Sequence, residues 1–117
     1  MFDALKNIGG LGNLGSLMTK AREMQERMKS LQDELGRKTV TADAAGGMVE
    51  ATVNGRLELV KLHIDKTRAD MSDTEMLEDV IVAAVHAAQM KAAEMSKAEM
   101  TRMAGEMGLP PGMLPGN

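Results

Sequence analysis

The 117-residue sequence contains no cysteine, tryptophan or tyrosine, and Phe2 is its one aromatic residue. Without cysteine there is no disulfide, no thiol nucleophile and no thiolate metal site. A small exported domain usually depends on such cross-links, so the cytoplasm is the expected location. Long hydrophobic runs are missing too. The longest is Val80 to Val85, far short of the ~20 residues of a membrane span. The N-terminus shows no apolar signal core, and neither export nor a membrane role is expected. With no internal aromatic residue, the core must come from Leu, Val, Ile, Ala and the 13 methionines, which make a soft, adaptable interior. The length fits one small globular domain.

Charge is low and uneven. The net charge is −3, but residues 1–38 carry seven basic and five acidic side chains, while the remainder carries seven and twelve. The whole-chain balance opposes a strong electrostatic grip on nucleic acid. A local basic surface on the first segment remains compatible with it.

Three segments emerge from the patterning. Residues 1–16 hold Gly9, Gly10, Gly12 and Gly15 and are expected to form a flexible glycine-rich arm. Residues 17–107 form a single α+β domain. Residues 108–117 hold all three prolines and are expected to be a mobile tail.

Within the domain, Leu17, Ala21, Met24, Met28, Leu31 and Leu35 recur at alternating steps of four and three. That spacing predicts a helix over 17–35 with a narrow apolar seam, capped by Ser16 and stopped by Gly36. The period then changes to two. Strands are expected over Lys38–Ala42, Met48–Val53 and Arg56–Ile64, the last two joined by an Asn54-Gly55 hairpin turn with positive φ at both residues. The third strand is out of phase: Leu57 and Leu59 point one way, Val60, Leu62 and Ile64 the other. Either a bulge lies near Leu59, or both sheet faces are buried and a partner chain covers one. Ser72-Asp73-Thr74-Glu75 reads as a capping box with Ser72 as the cap. A helix over 73–104 would extend about 48 Å, longer than a globule of this size, so it should project and seek a mate.

Catalytic and cofactor motifs are weak. Gly10-Leu11-Gly12-Asn13-Leu14-Gly15 spells a dinucleotide fingerprint, but no strand pattern precedes it. His63 and His86 have no ligand-spaced partners. Asp65, Asp70 and Asp73 lack the glycine and terminal glutamate of a calcium loop. No nucleophile–base constellation stands out. No enzyme activity, cofactor, metal or small-molecule substrate is expected.

One helix flank is more specific. Arg22, Gln25, Lys29 and Gln32 fall on one side of the first helix at i, i+3, i+7 and i+10. Such a stripe offers cations to phosphates and amides to base edges. Lys20 and Arg27 add charge on the other flank.

Several local motifs match a known pattern jointly. They are Gly10-Leu11-Gly12-Asn13-Leu14, Met24-Gln25-Glu26-Arg27-Met28, Gly46-Gly47-Met48-Val49, Val53-Asn54-Gly55, Ile64-Asp65, Met76-Leu77-Glu78-Asp79 and the ending Gly105-Glu106-Met107-Gly108-Leu109-Pro110-Pro111-Gly112. With these the sequence resembles the YbaB/EbfC family of bacterial nucleoid-associated proteins. The resemblance implies a non-enzymatic α+β homodimer in the nucleoid. Its sheets and inner helix segments would form a central body, and helical arms projecting like the tips of tweezers would grip double-stranded DNA. The contact residues it implies are Lys20, Arg22, Arg27 and Lys29 on the first helix, and Lys91, Lys97 and Arg102 on the last. Gln25 and Gln32 join them from the stripe. The alternative is a protein–protein adaptor using a Met-rich surface of Met100, Met103 and Met107.

Overall fold

The computed structural model describes residues 11–108. Its order is α1 (Leu11–Arg37), β1 (Thr39–Ala44), β2 (Val49–Asn54), β3 (Leu59–Ile64) and α2 (Thr74–Glu106). The expected α+β class is the observed one. Two compact units divide between Leu31 and Gln32. The N-terminal unit contributes the first turns of α1. The second holds the last turns of α1, the sheet and α2.

Helix α1 begins six residues before its expected start and runs through Gly36 to Arg37. Residues 11–16 are therefore helical where the glycine content suggests a flexible arm. A glycine inside a helix costs only about 1 kcal/mol relative to alanine, so Gly12 and Gly15 do not stop a helix whose apolar spacing already runs back to Leu14. Residues 1–10 of the expected arm and 109–117 of the expected tail lie outside the described residues. Seam burial is graded. Leu17 and Ala21 are exposed, Met24 and Met28 half-buried, Leu31 and Leu35 buried.

The sheet is antiparallel in the order β1-β2-β3. Strands β1 and β2 pair from Thr39↔Asn54 to Ala44↔Val49. Their turn passes through Ala45, Gly46 and Gly47, all at positive φ. Between β2 and β3 the register slips: Thr52 opposes Lys61, but Val53 opposes Leu59. Val60 is thus the extra residue of a bulge, which settles the phase conflict seen in the sequence. Because of it, Leu59, Leu62 and Ile64 line up on one face with Val53, Ala51 and Val49. The opposite face carries Thr41, Thr52, Glu50, Lys61 and His63 and is polar, so the alternative of a sheet buried on both faces falls away.

The Asn54-Gly55 turn also differs from expectation. Asn54 ends β2, its amide donates to Glu58 O at 2.9 Å, and the positive φ of the connection sits at Leu57 (φ 68°). Gly55 is needed for a different reason, given below.

The core of the second unit gathers Ala42, Val49, Ala51 and Val53 beneath Ala84, Ala88 and Ala92 of α2. Leu77, Val80, Ile81 and Val85 pack around them. Alanines at i, i+4 and i+8 let the helix approach the sheet closely. Helix α2 lies over β1 and β2. The same face continues onto β3, where Leu59 is 47% and Leu62 37% exposed. The 33 residues of α2 extend about 50 Å, beyond the ~20 Å of a six-residue strand. The helix is unbroken past Ser96. Its cap is Asp73, which accepts from the Met76 amide at 3.2 Å. Ser72 is not the cap, because its hydroxyl donates to Asp70 Oδ1 at 2.6 Å. A carboxylate also suits the positive helix end better than a hydroxyl.

Candidate nucleic-acid interface

The basic side chains separate into those already paired and those left in solvent. Lys38 Nζ lies 2.8 Å from Glu99 Oε1. Arg102 reaches Glu99 Oε2 at 2.6 Å and Glu106 Oε1 at 3.1 Å. The Lys38 and Arg102 hydrogen bonds hold the Glu99 carboxyl below the ordinary glutamate range. Glu99 in turn pushes the Arg102 guanidinium up. Lys91 Nζ donates to Thr41 O at 3.1 Å, across the sheet edge. Arg68 bonds Asp65 and the Gly46 carbonyl. Each of these cations would have to leave an existing partner to meet a phosphate.

Helix α1 is different. Lys20, Arg22, Gln25, Arg27, Lys29 and Gln32 are all exposed. Among the described residues, Lys20, Arg22 and Lys29 form no ion pair. The helix is continuous from Leu11 to Arg37, so Arg22, Gln25, Lys29 and Gln32 share one flank as the spacing requires. On α2, Lys91 and Arg102 stand eleven residues apart on one face, both engaged, and Lys97 lies exposed on another. The structure therefore separates the two sets of implied contacts: α1 presents an open stripe, and α2 presents a single open lysine, Lys97.

A feature that sequence reasoning missed anchors the base of α1. The chain after β2 presses against the last helical turns. Gly55 N donates to Leu35 O at 2.8 Å and to Lys38 O at 3.0 Å. A Cβ on Gly55 would lie 2.8 Å from Leu35 Cβ, Cδ2 and O, so this glycine serves close approach rather than a turn. Arg56 Nε donates to Gln32 O at 3.0 Å, and its Nη2 sits 3.7 Å from Asp33 Oδ1. The guanidinium lies over Gly36, where a Cβ would meet it at 2.9 Å. Asn54 is the one buried polar side chain among the described residues, and its bonds are satisfied. Its Oδ1 accepts from Arg56 N and Glu58 N at 2.9 and 3.0 Å, and its Nδ2 donates to Glu58 Oε1 at 2.8 Å and Gly36 O at 3.4 Å. The sequence signal was present, but the Asn-Gly pair reads equally as a tight turn.

Other candidate chemistry does not assemble. Leu11 to Gly15 of the glycine fingerprint are helical, leaving no strand-to-helix phosphate loop there. Asp65 and Asp70 are each saturated locally: Thr67 holds Asp65 below the ordinary aspartate range, and Ser72 does the same for Asp70. Among the described residues no three His, Cys, Asp or Glu side chains converge on one point. Nor is any described helix long and apolar enough to cross a membrane. Met103 is buried, with Met100 and Met107 half-buried, so the three do not form one open surface.

Comparison with known proteins adds a relationship. A nucleoid-associated protein of Thermoanaerobacter pseudethanolicus is 49% identical over 53 residues, covering 45% of this chain and 48% of that protein. One from Polynucleobacter necessarius is 48% identical over 54 residues, 46% of this chain and 50% of its own. One from Coxiella burnetii is 45% identical over 58 residues, 50% and 53% respectively. The chain thus spans about half the length of these relatives. The crystal structure of an uncharacterized Helicobacter pylori protein superposes with a TM-score of 0.64 at 26% identity, covering 80% of this chain and 95% of that one. The family model of the YbaB/EbfC DNA-binding family matches residues 10–107. Both described helices and all three strands fall inside that match, and the chain belongs to the YbaB/EbfC DNA-binding family.

Proposed function

We propose that this protein is a non-enzymatic, nucleoid-associated protein of the cytoplasm that binds duplex DNA as a homodimer through α1. The observation carrying this reading is the contrast in charge pairing. Lys20, Arg22 and Lys29 stand exposed on one helix without ion pairs, while the cations around α2 are largely committed to carboxylates and carbonyls. Arginine and lysine on a continuous helix suit phosphates, and the amides of Gln25 and Gln32 suit base edges. With a net charge of −3, contact is local, affinity modest and sequence preference loose. Arg27 sits on the neighbouring flank. Lys97 is the remaining candidate on α2, and Lys91 and Arg102 are secondary because each must first break an existing bond.

The dimer rests on β3. Leu59 and Leu62 belong to the core face of the sheet, yet α2 covers only its neighbours. Exposed Val82 lies on the same helix and, with them, offers apolar area to an equivalent surface of a second copy. Two copies would bring two α1 helices to one duplex.

A mobility-shift titration at two salt concentrations tests the reading, with wild type against Arg22→Ala/Lys29→Ala. The double variant is expected to bind more weakly. Its salt slope should flatten by about one unit for each phosphate it no longer neutralises. Unchanged affinity and slope in a folded variant would remove the α1 assignment. Sedimentation of wild type beside Leu59→Ser/Leu62→Ser checks the dimer, and monomeric wild type would remove it.

A further inference from the structure

The open stripe on α1 does not end at Arg22. Counting back by four, the same flank carries Met18 and then Leu14, so that Leu14, Met18, Arg22, Gln25, Lys29 and Gln32 form one line at steps of 4, 4, 3, 4 and 3. Leu14 is 42% and Met18 57% exposed. Met18 stands apart from the seam, about 60° or more around the helix from Ala21 and Leu17, while Leu14, about 20° from Ala21, lies where the seam and this flank meet. Exposed Met18 therefore sits in register with the cationic and amide groups, and exposed Leu14 borders them at the edge of the seam.

The charge around them selects an anionic partner. No acidic residue occurs between Leu11 and Arg22 of α1, where Arg22 is exposed on the same flank as Met18 and Lys20 is exposed on the other. The first described turn of α1 likewise has no acidic residue. An apolar pair in a positive field, in line with groups that suit phosphates and base edges, matches a protein that inserts side chains into nucleic acid. Leucine and methionine are among the residues that enter between base steps from a groove, unstack them and bend the duplex.

We infer that Leu14 and Met18 form an apolar wedge that enters duplex DNA beside the Arg22–Gln32 contacts and bends it. The inference rests on the DNA-binding reading above and adds a source of preference to it. Flexible pyrimidine–purine steps yield to a wedge most easily. The protein would thus favour deformable sites without reading a full base code.

The test uses the full chain and the double variant Leu14→Ser/Met18→Ser. Both positions are exposed, and unchanged circular dichroism with an unchanged melting curve confirms that the variant is folded. The probe is a duplex of about 30 base pairs with a central TA step, carrying a donor and an acceptor dye at its ends, titrated at two salt concentrations. Wild type should raise energy transfer on binding. The variant should bind about tenfold more weakly, without the bend but with the salt slope retained because the cations still meet phosphates. Wild type that binds without bending, or a variant that bends DNA equally well, overturns the wedge and leaves the DNA reading standing. Failure of wild type to bind the duplex overturns both. Two further outcomes also overturn the wedge: a variant that loses only self-association, and wild type that instead co-floats with anionic phosphatidylglycerol vesicles through these residues. They would assign the patch to a second copy or to a lipid surface.

Discussion

At its C-terminal end, α1 buries Leu35 fully and passes Leu35 O to the Gly55 amide, with Arg56 lying along the last turns. Toward its N-terminal end, Leu14, Leu17 and Met18 stand in solvent, and Lys20 and Arg22 are exposed beside them. Both ends belong to one uninterrupted helix, and both carry apolar residues at three- and four-residue spacing. Helical periodicity reports which residues share a side. It does not report whether anything covers that side. In this protein one end of the pattern builds the fold, and the other is left available to a partner.

That comparison can be broken by paired substitutions. Leu35→Ala should cost about 2–5 kcal/mol of unfolding free energy in urea titration, because it empties a filled core position. Leu17→Ala, on the same seam, should change stability by no more than about 0.5 kcal/mol. Equal costs would mean that the exposed end is structurally committed after all. Gly55→Ala sharpens the C-terminal half of the contrast. Its Cβ would press on Leu35 at 2.8 Å, backbone oxygen included, and overpacking of this kind costs about 1–3 kcal/mol. A melting temperature equal to wild type would show that the loop can withdraw from α1 freely.

The smallest effect concerns the ion pairs beside Lys38. The carboxyl of Glu99 is held low by Lys38 and Arg102. Its stabilising contribution is therefore present above the ordinary glutamate range, about pH 4, and is lost as pH falls through and below that range. Glu99→Gln should lower the melting temperature slightly at neutral pH. It should also reduce the loss of stability between about pH 5 and pH 3 relative to wild type. Parallel acid profiles for the two proteins would show that the pair contributes nothing.

Much of the fold is readable from residue order because its signals are local. Alternating strand residues, the uninterrupted run from Ser72 to Gly105, and the alternatives posed by Leu59 and Val60 all lie within a few positions of one another. The start of α1 is obscured at Gly12 and Gly15 because each glycine opposes helix only weakly, and the apolar spacing around them continues. The cap of α2 is ambiguous because Ser72 and Asp73 both qualify locally, and only the hydrogen bond of Ser72 to Asp70 distinguishes them. For the candidate site, the Arg22–Gln32 flank follows from spacing alone. That Lys91 and Arg102 are occupied does not, since Lys91 meets a carbonyl fifty residues away and Arg102 shares Glu99 with Lys38, sixty-one residues from it.

By itself the sequence determined the element types, their order and the side of α1 that carries cations, since all of these follow from periodicity and backbone preference along a single chain. The tertiary structure decided the rest. It made Gly55 a contact glycine, turned Leu59 toward the core face through the bulge at Val60, left β3 uncovered, and divided the basic residues into paired and unpaired sets. Each of those outcomes depends on what lies opposite a residue in space, and packing between distant segments supplies that neighbour.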